Sequence, residues 1–301
     1  MMNKMWVNYV GLIAIAIIWG VNFGVSRLAM ESFHPIVFTM LRFGLAIPFF
    51  FIILKWKEGN ISIPWRLVPY IAVISLLGVT ALEIMSMYAI KYTTLANASL
   101  LSVAPWPIFA ALLSPLFMKE AITPRLILGG AICFIGVSFV ILGGDEGFNM
   151  SSNLMLGNAL ALLISIVGPL FNLSSMSLMR QFSALRISTW TIVFGAIFML
   201  PLTIGKWQAT NWAALQFEQY AAIVYNVILC TVVAFVVWNA CMFRVGATRA
   251  NFFRYAVPAA AMITGFIMFG ESITLFQVLG ALVMAAGLVW ITRGDRKANL
   301  Q

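Results

Sequence analysis

The chain is poor in charge. Of 301 residues, 18 are Lys or Arg and 9 are Asp or Glu, together 9%, while 62% are hydrophobic. Soluble domains run to roughly half apolar and a quarter charged, and no soluble core of this length hides so much apolar surface. The bilayer must act as the solvent. Histidine is nearly missing: the single one, His34, stands beside Pro35 in a connecting stretch. A membrane-embedded enzyme needs His, Asp, Glu or Ser clustered at membrane depth, and no such cluster is present, so no catalytic residue is expected. The three cysteines, Cys133, Cys230 and Cys241, fall in apolar segments without a CxxC, so neither a disulfide nor a metal site is expected. The phosphate-cradling GxxxxGK[ST] loop is missing, which excludes ATP hydrolysis by this chain, and no cofactor is called for. A ring of pore-lining charge is missing too, which argues against a channel.

What is present is a series of apolar runs. A hydrocarbon core of about 30 Å takes about 20 residues per helix. In those units the chain divides into ten segments, at 8–26, 35–54, 67–89, 93–117, 125–142, 156–178, 186–204, 219–242, 250–269 and 274–292. The first is followed by further segments and not by a polar mature domain, so it reads as a span and not as a cleaved leader. With the N-terminus inside, thirteen of the eighteen basic residues fall in inner loops. That bias predicts both termini in the cytoplasm of a bacterial inner membrane. It also accounts for the net charge of +9 without a nucleic acid partner.

The halves repeat each other. Residues 105–137 line up with 256–288 at a constant offset of 151: Pro107 meets Pro258, Glu120 meets Glu271, Ile122-Thr123 meets Ile273-Thr274, Gly129 meets Gly280 and Gly136 meets Gly287. Five segments per half is an odd number, so the second copy enters the membrane from the opposite face. The expected fold is all-α and polytopic: ten transmembrane helices as two inverted five-helix repeats, at 1–147 and 148–301. Carriers built this way hold substrate near the midplane, beside broken helices.

Short motifs fit that plan. "WGVNF" (19–23) closes the first segment, "LRF" (41–43) lies in the second, "KEAIT" (119–123) follows the fourth and "GESIT" (270–274) follows the ninth. In order and duplication the chain resembles the EamA family of the drug/metabolite transporter superfamily, over essentially its whole length. Glu83-Ile84, Trp106-Pro107, Trp238-Asn239 and Tyr255 also look like the aromatic amino-acid exporter branch, whereas Arg42 of "LRF" looks like the broader family pattern. The resemblance implies segments 1, 3, 4, 6, 8 and 9 around a central cavity, with 5 and 10 supporting from outside.

Three charges lie inside membrane segments, each costing at least about 2.5–3.5 kcal/mol at mid-bilayer. Arg42 and Glu83 share a depth, roughly 10 and 9 Å below the outer ends of their segments at 1.5 Å per residue. Their counterparts in the other half, near Phe194 and Ala234, are uncharged. They either form a fixed ion pair or leave Glu83 facing a cavity, where it receives an ammonium or a proton. Arg254 sits near the inner end of the ninth segment; it either snorkels to headgroups or grips an anionic group at the cavity mouth. Pro107, Pro169 and Pro258 are candidate hinges, read as mid-helix prolines that free a carbonyl. Trp19, Asn22, Tyr88, Trp106, Asn172, Trp238, Asn239 and Tyr255 complete the candidate substrate site; the three tryptophans lie too deep to be interface anchors.

The reading is a non-enzymatic exporter of small amphipathic metabolites, amino acids or derivatives first, working by alternating access on a proton or substrate gradient. A multidrug, quaternary-cation or lipid transporter is the runner-up. Expected partners are a small-molecule substrate, protons as candidate coupling ion, and the lipid bilayer, with the chain a monomer or weak homodimer.

Overall fold

A computed structural model describes residues 2–118, 124–142, 152–179, 181–210, 212–245 and 253–298. The described residues are helical rods joined by short turns, without a strand. The helices are α1 (Met2–Ala29), α2 (Pro35–Glu58), α3 (Trp65–Tyr92), α4 (Leu95–Val103), α5 (Trp106–Met118), α6 (Pro124–Leu142), α7 (Asn153–Met179), α8 (Ala184–Met199), α9 (217–245), α10 (Ala256–Phe269) and α11 (Leu275–Ala298). Six are long and apolar enough to cross a bilayer: Trp6–Ala29, Pro35–Glu58, Trp65–Tyr92, Asn153–Met179, Ala184–Thr203 and Phe217–Trp238. Four shorter apolar helices, Leu95–Ala110, Ile127–Ile141, Ala256–Phe269 and Leu275–Gly287, overlap the remaining expected segments. The chain is thus an all-helical, polytopic membrane protein. Its outward face is apolar: Ile13, Ile17, Ile52, Phe266, Ile267 and Leu282 are exposed, as lipid contact requires.

Local chemistry sets the helix ends. Pro35 starts α2, where a missing N–H costs nothing, and His34 Nδ1 accepts from the Ile36 amide at 3.3 Å. Gly59, at φ 69°, ends α2 in a positive-φ conformation that a Cβ disfavours. Thr94 caps α4 and Ser183 caps α8 through their hydroxyls. Both α3 and α9 contain a π segment, at Leu76–Ala81 and Tyr225–Val233. An offset of 151 carries 76–81 onto 227–232, inside the second.

Helices α6 and α11 approach each other closely. A Cβ on Gly136 would come within 2.8 Å of the Gly280 carbonyl oxygen, and one on Gly287 within 2.9 Å of the Gly129 oxygen. Small residues permit that backbone contact. The core beside it gathers Leu100, Leu101, Ala104, Ile108, Cys133, Val137, Ala161 and Met284.

Two proline expectations are corrected. Pro107 is the second residue of α5 and Pro258 the third of α10, so neither is mid-helix. In a first turn the amide has no intrahelical acceptor, and proline fits without freeing a carbonyl. The breaks lie just before them, at Ala104-Pro105 and at Arg254-Tyr255. Pro105 has no amide hydrogen with which to continue the α4 ladder, which accounts for the first. Pro169 is the interior proline, buried within α7. The Lys119–Thr123 stretch, with Glu120, lies outside the described residues.

Candidate functional site

The two breaks meet. Tyr255 Oη donates to the Ala104 carbonyl at 3.0 Å, a carbonyl at the point where α4 gives way to α5. The residues are 151 apart, equivalent positions of the aligned halves. Pro105 O accepts from the amides of Ile108 and Phe109, at 3.0 Å each, and Arg254 O from Val257 at 2.9 Å. Each break therefore keeps its backbone hydrogen-bonded while turning side chains inward.

Arg254 projects from the second break into three tryptophans. Its guanidinium carbon lies 4.5 Å from the ring centre of Trp106, 5.8 Å from Trp19 and 5.9 Å from Trp238, all within cation–π range. Its Nε is buried without a hydrogen-bond partner. The snorkelling alternative is thereby corrected: the side chain turns into the ring cage, where the aromatic faces hold it. Each ring is placed by a neighbour. Trp19 Nε1 donates to the Cys230 carbonyl at 3.2 Å, and its ring centre is 4.9 Å from that of Trp238. Trp106 lies over Gly168, where a Cβ would occupy the space of its six-membered ring.

The second membrane arginine is paired. Arg42, 6% exposed, has Nη1 3.1 Å from Glu83 Oε2. Its Nε donates to Thr231 Oγ1 at 2.9 Å and its Nη2 to Cys230 Sγ at 3.5 Å. Cys230 therefore touches Arg42 through sulfur and Trp19 through its carbonyl, so one residue of the α9 π segment separates the ion pair from the cage.

The remaining candidates are spread. Asn22, 7% exposed, lies one turn along α1 from Trp19, with Oδ1 buried and unpartnered. Asn172 is exposed on α7, one turn beyond Gly168. Tyr88 stacks on Tyr92 with ring centres 5.8 Å apart and makes no ring contact with the cage among the described residues. Asn239 follows Trp238 on α9, and its side chain lies outside the described set. A cavity of about 230 Å³ lined by Phe50, Lys57, Glu58, Ser183 and Phe235 includes none of the candidates.

Sequence reasoning missed a polar clasp at the far end of α1. Arg27 pairs with Glu271 and donates to the Ile90 and Thr93 carbonyls at the end of α3. Glu271 Oε2 also accepts from the Leu95 amide at 2.8 Å. Beside it, Gln277 donates to Asn97 at 2.8 Å and Asn97 to Asn158 at 3.2 Å. One basic residue at the outer end of the first segment and one acid in "GESIT" were the available signals.

A bundle of apolar helices with broken segments and a caged cation between them is the build of a membrane transporter. The EamA-like transporter family model matches residues 6–142 and again 155–293, and the chain belongs to that family, in the drug/metabolite transporter superfamily. The chain is 25% identical to the uncharacterized transporter YyaM of Bacillus subtilis, over 93% of this chain and 92% of that one. It is 26% identical to an uncharacterized transporter of Archaeoglobus fulgidus, over 92% and 94%. It is 22% identical to a probable terminal-alkyne amino-acid exporter of Streptantibioticus cattleyicolor, over 94% and 92%. A solved crystal structure superposes with a TM-score of 0.68 at 15% identity, over 95% of this chain and 97% of its own, a likeness of fold.

Proposed function

We propose that the protein is a secondary transporter exporting small amphipathic metabolites, amino acids or their derivatives, across the bacterial inner membrane by alternating access. Ten membrane segments in two inverted five-helix repeats, 1–147 and 148–301, rock about the paired breaks, with both termini in the cytoplasm. The observation that carries this is Arg254 among Trp19, Trp106 and Trp238: a polar grip with apolar walls at the meeting point of two broken helices, where such repeats hold substrate. The relative named as an amino-acid exporter supports the substrate class.

Glu83 is committed to Arg42, so it serves the scaffold in preference to an ammonium or proton. The uncompensated charge of Arg254 weighs against the quaternary-cation alternative. The Arg27–Glu271 clasp closes one end of the path while the cage is reached from the other.

Counterflow in proteoliposomes tests the proposal, using labelled amino acids, amino-acid derivatives, nucleosides and quaternary ammonium compounds. Exchange of amino acids or derivatives is expected. Exchange of the ammonium compounds alone would overturn it.

A further inference from the structure

Charge at the cage is unbalanced in one direction. Among the described residues the ion pairs are Arg27–Glu271, Arg42–Glu83 and Arg186–Glu58. Arg254 is in none of them, and none of those carboxylates is free of its own arginine. Among the described residues the cage thus holds a fixed positive charge and offers no acid. Its tryptophan faces, the sites that elsewhere receive an ammonium, already face the guanidinium.

Arginine presents five N–H donors in a planar fork that matches a carboxylate, and its Nε lacks an acceptor. Around it the surroundings are apolar: Ala16, Val103 and Val257 pack with Trp19 and Ala256. One neutral acceptor lies one turn along α1 from Trp19, the buried Asn22 Oδ1 without a donor. A single neutral oxygen fully satisfies an amide N–H. It satisfies only one of an ammonium's three donors, and a desolvated ammonium beside Arg254 would meet like charge.

We infer that the cage takes an amphipathic monoanion, a carboxylate joined to an apolar or aromatic body with no free ammonium, of which an N-acylated amino acid is the type: carboxylate on Arg254, amide N–H toward Asn22, side chain against the tryptophans. This rests on the reading of the cage as the substrate site and narrows it from amino acids at large to their amine-blocked derivatives. Binding such an anion cancels the buried charge, whereas a zwitterion leaves a buried cation in its place.

The experiment is counterflow in proteoliposomes with three matched labelled probes: N-acetylphenylalanine, phenylalanine and phenethylamine. N-acetylphenylalanine is expected to exchange on the order of tenfold faster than phenylalanine, since juxtaposed like charges discriminate at that scale or above, and phenethylamine not at all. Arg254→Gln, checked for folding by size-exclusion chromatography, is expected to erase the preference for the blocked acid. Asn22→Leu is expected to slow N-acetylphenylalanine while sparing 3-phenylpropionate, which has no N–H to place. Phenylalanine exchanging as fast as its N-acetyl derivative would overturn the inference and leave the amino-acid exporter standing. An unchanged preference in a folded Arg254→Gln protein would overturn it as well. Exchange of phenethylamine alone would overturn both.

Discussion

Arg42 and Arg254 are both membrane arginines with opposite solutions to the same cost. Arg42 is surrounded by acceptors, with Glu83, Thr231 and Cys230 each taking one nitrogen. Arg254 has rings in place of acceptors. Removing Glu83 therefore leaves a buried cation uncompensated, and Glu83→Gln is expected to destabilise the protein by about 3–5 kcal/mol, read as a lowered unfolding midpoint in detergent. The double substitution Arg42→Met with Glu83→Leu is expected to recover most of that loss, because an apolar pair needs no desolvation; a double variant no more stable than Glu83→Gln would show that the pair does more than balance charge. His34 supplies a pH-dependent contribution. Burial, then repulsion from Lys206 and Lys91, lowers its pKa below the ordinary 6.5, and its Nδ1 must stay unprotonated to cap α2. The unfolded chain takes up this proton more readily, so stability is full above 6.5 and falls as the pH drops through it. His34→Asn keeps a capping oxygen and is expected to flatten that slope, measured as unfolding midpoint against pH.

At the scale of elements, the close pair α6 and α11 makes the sharpest prediction. Gly136→Val would push a branched side chain into the Gly280 carbonyl and Met284, where Cβ already comes within 2.8 Å of backbone. Overpacking of that kind costs about 1–3 kcal/mol, whereas Gly130→Ala, whose Cβ would meet Leu112 at an ordinary 3.4 Å, is expected to be silent in the same thermal assay. Gly129 with Gly280 and Gly136 with Gly287 were legible because backbone approach admits few residue types, and the offset of 151 marked them in pairs. Pro107 and Pro258 were legible as a pair and misplaced along their helices. Hydropathy shows where apolar residues run, but it does not show which amide lacks an acceptor, so Pro107 read as mid-helix although Pro105 had already broken the chain. Arg254 could be placed near a helix end by counting; its direction could not, because a turn at 254–255 rotates the side chain away from the helical spiral that counting assumes. The convergence of Trp19, Trp106 and Trp238 on one charge depends on segments as far apart in the chain as residues 19 and 254, and no local period carries that information.

Across the whole molecule, the two exposed-end ion pairs occupy opposite ends. Arg27 lies near the last residue of α1, and Glu271 follows α10. Glu58 ends α2, which returns from the Arg27 end, and it holds Arg186 near the start of α8 at 2.7 Å. The two differ in what they join. Glu58 and Arg186 tie α2 to α8, while the Arg27 clasp ties α1, α3, α4 and the residues after α10, the helices that bear Trp19 and both breaks. A carrier that alternates must release such a clasp in part of its cycle. Glu271→Gln keeps the shape and removes the charge, and it is expected to raise the fraction of molecules open at the Arg27 end. The reporter is Ser99→Cys, in a background with Cys133, Cys230 and Cys241 replaced; Ser99 is buried on α4, one turn in from Leu95. Its rate of maleimide modification is expected to rise several-fold on adding Glu271→Gln, while a cysteine at the exposed Trp65, at the other end, keeps its rate. Equal rates at position 99 with and without Glu271→Gln would show that the clasp is a static tie, and the opening would then have to occur elsewhere on the bundle.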